Sequence, residues 1–386
     1  MKKSLFVLLI AFMAICMVLV SCKSDPKPVE TGDDGFLHVS TFTDFVKGLT
    51  SAKKTESKTL VLDADIAWDA TKYPGGADID VASEDVTSFK KGTKITITSI
   101  KRPNEGALSI DVTGLTIDLG GHKITGVPTN AFNLKGDSFT LKNGQILGAD
   151  DNSKYSVNIN YNGKNASTSN GLKDLALDRT PAAYSDSDAA WSKRVVVENI
   201  TATGMLCGYS TVEIKNSSFL GGAYRGLVLQ GSSGVVENVT VQTADSAGSA
   251  GFVAHSYGTV LVKGTCSFKG KFGAYSAMCP KMIFDSSAVV TVSAFGTYAF
   301  YLETQGNVTI NAGATLTLAP VSGKATFYMR TGTTIDIAAG AVLKDSTGTA
   351  IAKPIPEAAI DKSGDGASDS AWTGYGKAPV ITDNRT

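Results

Sequence analysis

Apolar and polar positions alternate along this chain in short runs. In VEIKNSSF (212–219), Val212 and Ile214 alternate with Glu213 and Lys215, Asn216 interrupts, and Phe219 resumes the apolar pattern. A period of two is the mark of a half-buried strand. The arrangement returns in FTLKNGQI (139–146), VVVENITA (195–202) and GVVENVTV (234–241). Asparagine stands fifth each time, as Asn143, Asn199, Asn216 and Asn238. LTIDLGGHKI (115–124) and VLVKGTCSF (260–268) keep the rhythm with Gly120 or Gly264 near the same point. Asn and Gly tolerate left-handed backbone, so the column predicts a sharp bend once per repeat.

A second motif closes each repeat. GLVLQ (226–230), GFVAH (251–255), AYSAM (274–278), AFYLE (299–303) and TFYMR (326–330) align without internal gaps, at spacings of 25, 23, 25 and 27 residues. Each unit therefore holds about three short strands and their turns. Alternation puts Leu227/Leu229, Phe252/Ala254, Phe300/Leu302 and Phe327/Met329 inside. It puts Val228/Gln230, Val253/His255, Ser276/Met278, Tyr301/Glu303 and Tyr328/Arg330 outside, with Asn133/Lys135 and Asn158/Asn160 in earlier units. One stretch is helical instead. In STFTDFVKGLTSAKK (40–54), Phe42, Phe45, Val46 and Leu49 share a face, and Ser40 or Thr41 is placed to cap. TLVLDADI (59–66) reads as the first strand and TTIDIAAGAVL (333–343) as the last coil.

Repeat length, alternation and the asparagine column resemble the right-handed parallel β-helix of pectate lyases, polygalacturonases and many surface adhesins, over roughly residues 59–350. The resemblance implies an all-β solenoid, with the asparagines stacked as an internal ladder. About ten coils at ~4.8 Å each make a shaft on the order of 50 Å. An antiparallel sandwich or propeller would instead need hairpin turns, and Asn143-Gly144 is the one such dipeptide between strand-like runs. Residues 36–58 are expected to form an N-terminal cap and 351–386 a C-terminal cap or tail, where Trp372 and Tyr375 suggest some packing. Residues 164–192 interrupt the repeat, with Leu172, Leu175, Leu177 and Trp191 apolar enough to fold back on the shaft.

The N-terminus adds a different signal. MKK is followed by the 16-residue apolar run LFVLLIAFMAICMVLV (5–20), short for a membrane span of about 20 residues. Leu19-Val20-Ser21-Cys22 resembles the lipobox of bacterial lipoproteins. That resemblance implies a signal peptide over 1–21, acylation of Cys22, a tether over 22–35, and a lipid-anchored place in the bacterial cell envelope, at the outer membrane or cell surface. Lys23 gives no inner-membrane retention signal.

Composition narrows the chemistry. The 386 residues are 42% hydrophobic and 19% charged, with Lys+Arg and Asp+Glu both at 36. No basic excess points to nucleic acid. Cys207, Cys266 and Cys279 remain after the leader, without Cys-x-x-Cys spacing. They read as buried free thiols, with a Cys266–Cys279 disulfide as the alternative and no zinc site. Asn-x-Ser/Thr occurs at Asn165, Asn199, Asn216, Asn238, Asn307 and Asn384, three of them in the ladder, where turn chemistry explains them.

The outward row is the candidate site: Gln230, His255, Tyr301, Glu303, Tyr328 and Arg330. Aromatics suit stacking on sugar rings, and the polar groups suit sugar hydroxyls. Glycan, or a host or matrix protein, is then the expected partner, with no cofactor and no metal. The alternative is a polysaccharide lyase or glycoside hydrolase on acidic polysaccharide, which needs converging carboxylates, or calcium with an Arg or Lys base. Glu303, His255 and Arg330 are its catalytic candidates, with Asp150 and Asp151 beside the insertion and Asp174 and Asp178 within it. His255 lies two coils from Glu303, near 10 Å, too far for a direct pair. Lys135 and Arg330 are about eight rises apart, too far to cooperate. His122 in GGHKITG reads as a turn residue.

Overall fold

The computed structural model describes residues 29–75, 79–81, 84–87, 94–97, 100–102, 107–129, 131–134, 138–149, 155–160, 194–208, 210–222, 225–244, 250–255, 258–277, 280–303, 306–330, 332–362 and 378–386. The leader, Cys22, Lys135, Asp150, Asp151, the insertion 164–192 with Asn165, Met278, Cys279, Trp372 and Tyr375 lie outside them, as do the side chains of Asn133 and Asn160.

Strands of successive turns lie parallel and in register. Val212 stands opposite Gly234, Gly234 opposite Val260, and Val260 opposite Met282. The molecule is a parallel β-solenoid of about 8 turns. One face is an 8-stranded sheet, most other strands of the stack join a 20-stranded one, and Leu108–Ile110 pairs in parallel with Phe132–Leu134 as a separate two-stranded sheet. The expected ten coils overcount. The described strands between Ala67 and Leu108 do not join the stack: Ile79–Val81 pairs antiparallel with Ile100–Arg102 and Glu84–Thr87 with Lys94–Ile97. Strands that pair locally add no rung.

The bore is filled as alternation predicts. Phe219, Phe252, Phe268, Phe284, Phe300 and Phe327 are fully buried, and such a side chain contributes up to about 3 kcal/mol. Phe252 stacks on Phe268 at 4.7 Å, and Phe300 on Phe327 at 5.7 Å. Helix α1 (Phe42–Lys54) covers the first turn. The Thr41 hydroxyl accepts from the Asp44 amide, and Phe45 and Leu49 are buried. At the other end Ile360–Asp361 extends the 8-stranded sheet, and Val380–Asp383 pairs with Thr334–Ile337. Arg385, 6% exposed, donates to the carbonyls of Ile351 and Ala352 at 2.8 and 2.9 Å and pairs with Asp383 at 2.7 Å. Lys353 caps the Arg385 carbonyl.

The four asparagines are the only non-glycine residues with positive φ among the described residues: 61° at Asn143, 55° at Asn199, 49° at Asn216 and 55° at Asn238. Gly264, at φ 60°, takes the next corner, where an added Cβ would come 2.2 Å from Asn238 Oδ1. The ladder is not internal, however. Asn199, Asn216 and Asn238 are exposed, and the residues after them, Ile200, Ser217 and Val239, take the buried places. The left-handed bend hands the core position to the following residue and leaves the amide outside. There Asn143 donates to Asp118 at 3.1 Å, Asn199 to Asn143 at 3.1 Å and Asn238 to Asn216 at 3.2 Å, while Asn238 accepts from the Thr265 amide at 3.0 Å. A column of alternating charge runs beside it. Asp118, Lys142, Glu198, Lys215, Glu237 and Lys263 stand opposite one another in succession.

Candidate binding face

The 8-stranded sheet consists of Val157–Asn160, Met205–Gly208, Arg225–Gln230, Ala250–His255, Phe272–Ala277, Phe300–Leu302, Phe327–Met329 and Ile360–Asp361. Its pairing corrects one motif. Phe252 stands opposite Ala274, Val253 opposite Tyr275 and Ala254 opposite Ser276, so the repeat unit there is GAYSA (273–277) and not AYSAM (274–278). A slip of one residue reverses every side chain. Ser276 points inward and is fully buried, and Tyr275 takes the outward place. The outward column therefore reads Leu206, Val228, Val253, Tyr275, Tyr301, Tyr328, Asp361.

That column has two halves. Val228 and Val253 point outward yet are 1% and 0% exposed, packed with Tyr155 and Ala250 in a small apolar cluster on the outer side of the sheet. A uniformly solvated row, as alternation alone predicts, is thus wrong for this half, since side chains on the outer side pack over the sheet. Asn158, also outward, is 2% exposed. From Tyr275 on the column is half-buried.

The rings of the open half stack on one another. Tyr301 lies 4.4 Å from Tyr328 with 19° between planes, 5.6 Å from Tyr275 with 17°, and 4.3 Å from Phe272 with 35°. Tyr298 lies 5.1 Å from Tyr328. Side chains one turn apart must stack this way, because the rise matches aromatic contact distance. The expectation of free ring faces for sugar stacking is therefore not met at Tyr301, whose faces are taken by its neighbours.

Polar groups fix the stack. Tyr275 donates its hydroxyl to Glu303 Oε2 at 2.7 Å, and Arg330 Nη1 meets Glu303 Oε1 at 3.4 Å. Tyr298 donates to Asp361 at 2.6 Å. The Arg225 guanidinium lies 5.5 Å from the Tyr275 ring centre. Burial, and then the nearby Glu303 carboxylate, push the Tyr275 and Tyr301 phenols well above their ordinary range. Burial and the Asp361 bond raise Tyr298 to about 12. His255 is pulled down to about 4, first by burial and then by the Arg225 charge, and is neutral at pH 7.

Of the sequence candidates, Tyr301, Glu303, Tyr328 and Arg330 meet in one cluster. Gln230 and His255 stand opposite each other beside the closed half, and His255 is two rungs from Glu303 by way of Ala277. Reading the motif one residue late hid Tyr275. Arg225, Phe272 and Tyr298 each stand one residue before their closing motif, and Asp361 follows a long connection, so the motif alone does not reach them. His122 is a turn residue, its amide bonded to the Leu119 carbonyl at 2.7 Å and its ring 3.4 Å from Asp65. Cys207 and Cys266 are buried free thiols three turns apart, and burial raises Cys207 to about 12. Among the described residues no three His, Cys, Asp or Glu side chains are grouped to hold a metal ion. No protein-family model, curated protein or solved structure matches the chain.

Proposed function

We propose that this chain is a lipid-anchored protein of the bacterial cell envelope whose solenoid binds glycan at the open half of the 8-stranded sheet. The observation that carries this reading is the half-buried column Tyr275, Tyr301, Tyr328 beside the Glu303–Arg330 pair. A sugar hydroxyl both donates and accepts. Phenol edges, a carboxylate and a guanidinium held on adjacent rungs complement it without having to be ordered first, which lowers the cost of binding. Recognition then runs through ring edges and hydroxyls, not through ring faces. The carboxylates of this face are each engaged by a tyrosine hydroxyl, Glu303 by Tyr275 and Asp361 by Tyr298. That favours holding a ligand over acid–base work on it.

The test is retention of the chain on an array of neutral and acidic polysaccharides, with parallel incubation with and without calcium. Saturable retention without cleavage supports binding. New unsaturated-uronide absorbance or new reducing ends would replace it with the lyase or hydrolase reading. The anchor is tested separately by labelling cells with an alkyne fatty acid. The chain should take up the label and Cys22→Ala should not.

A further inference from the structure

Away from the sheet, His38 lies between two carboxylates. Its Nδ1 is 2.8 Å from Asp63 Oδ1, and its Nε2 is 3.0 and 3.2 Å from the two oxygens of Asp34. An ionised carboxylate only accepts hydrogen bonds, and a neutral imidazole has a single N–H. Both contacts are bonds only when the ring is doubly protonated. A neutral ring would turn a lone pair toward one of the two aspartates.

The two aspartates belong to different elements. Asp34 sits in a tight hairpin: Thr31 pairs antiparallel with Leu37, the Gly32 amide donates to the Phe36 carbonyl at 2.8 Å, and the Gly35 amide donates to the Gly32 carbonyl at 3.0 Å. Asp63 follows the strand Thr59–Leu62, the partner of Leu37–Val39. Just before the hairpin, the Val29 amide donates to Ser51 Oγ of α1 at 3.0 Å. His38 therefore ties the N-terminal hairpin to the body of the stack, at the first strand, whose edge needs cover.

We propose that His38 is a pH-operated clasp, closed as the imidazolium over Asp34 and Asp63 and undone on deprotonation, which frees the hairpin 31–36. The charged groups bonded to it are Asp63 from the turn and Asp34 from the hairpin. Asp65, farther along that turn, is taken by His122 at 3.4 Å and Lys123 at 3.5 Å. The Asp63 bond, then the Asp34 bond, raise the His38 pKa above its ordinary 6.5, against a smaller desolvation effect. A raised folded pKa means the clasp contributes fully below pH ~6.5 and is lost as pH climbs through the higher folded value. The device loosens in the alkaline direction.

The test is amide hydrogen exchange of the full chain at pH 6 and pH 9, corrected for the intrinsic rate. Protection at Gly32 and Gly35 should fall about three- to tenfold at pH 9, while the core strand Phe327–Met329 keeps its protection. His38→Gln should show the lower protection at both pH values. Equal protection at pH 6 and pH 9 in the unaltered chain, or an unchanged pH slope in His38→Gln, overturns the clasp. If His38→Gln fails to fold, the ring proton titration of His38 decides. The chain has 3 histidines, and a His38 midpoint above 6.5 is expected, while one at or below it rejects the proposal.

Discussion

The asparagine corner and the tyrosine face are both ladders with one rung per turn, yet their rungs are held by different forces. At the corner each rung is a backbone necessity. The chain must bend at positive φ, Asn and Gly do so at least cost, and the amides then bond to one another in solvent. On the face the backbone is ordinary strand and would accept many residues. What singles out Tyr275, Tyr301 and Tyr328 is ring stacking and the phenol–carboxylate–guanidinium bonds across it. A ladder imposed by conformation explains the fold. One the fold does not require is where a ligand should be sought.

The sharpest way to break that contrast is to contest the register. Ser276 faces the bore and Tyr275 faces out. Ser276→Lys buries an unpaired charge and should cost more than ~4 kcal/mol, abolishing the cooperative melt. Tyr275→Lys should still melt cooperatively. The reverse ranking would restore the offset alignment.

The corner comes next. Asn238→Ala should lower stability by about 1–2 kcal/mol, because alanine is strained at φ 55°. Asn238→Gly should cost no more than about half of that, although both lose the same amide bonds. Denaturant titration of the pair separates conformation from hydrogen bonding. Equal losses would mean that the exposed bonds matter more than the bend.

The face has its own pH signature. His255 has a folded pKa of about 4 against an ordinary 6.5. The unfolded chain therefore binds a proton in that interval that the folded one does not, and stability should decline as pH falls from about 6.5 to about 4 and level off below. His255→Gln should flatten that part of the curve. The smallest effect belongs to the charge column: Lys215→Ala should barely move the denaturation midpoint, and less still at high salt.

These contrasts also explain what the sequence could convey. The asparagine corner is legible because φ constrains residue type directly, and all four positions are visible as a column. The apolar bore is legible because alternation is unforgiving inside, and Phe252, Phe300, Phe327 and Met329 stand where it puts them. The turn count was not legible, since the strands between Ala67 and Leu108 have the same alternation but pair as local hairpins. The face was half legible. Its tyrosines from Tyr301 on follow the motif, but AYSAM fits the pattern almost as well one residue out, because small residues flank both phases. Burial of Val228 and Val253 on the outer side depends on packing that alternation does not encode. The C-terminal clamp of Arg385 on Asp383 joins residues that no period relates to the carbonyls they cap.

The central claim is that the tyrosine face binds and the asparagine corner only folds. It is tested most directly by measuring glycan affinity and melting temperature together for two double variants, Tyr301→Ala/Tyr328→Ala and Asn216→Ala/Asn238→Ala, at a temperature where both remain folded. The tyrosine pair should weaken retention on the array at least about tenfold, the loss of ~1.4 kcal/mol expected for removing anchoring aromatics. The asparagine pair should lower the melting temperature and leave affinity unchanged. Unchanged retention in the tyrosine pair, or lost retention in a folded asparagine pair, would contradict the account.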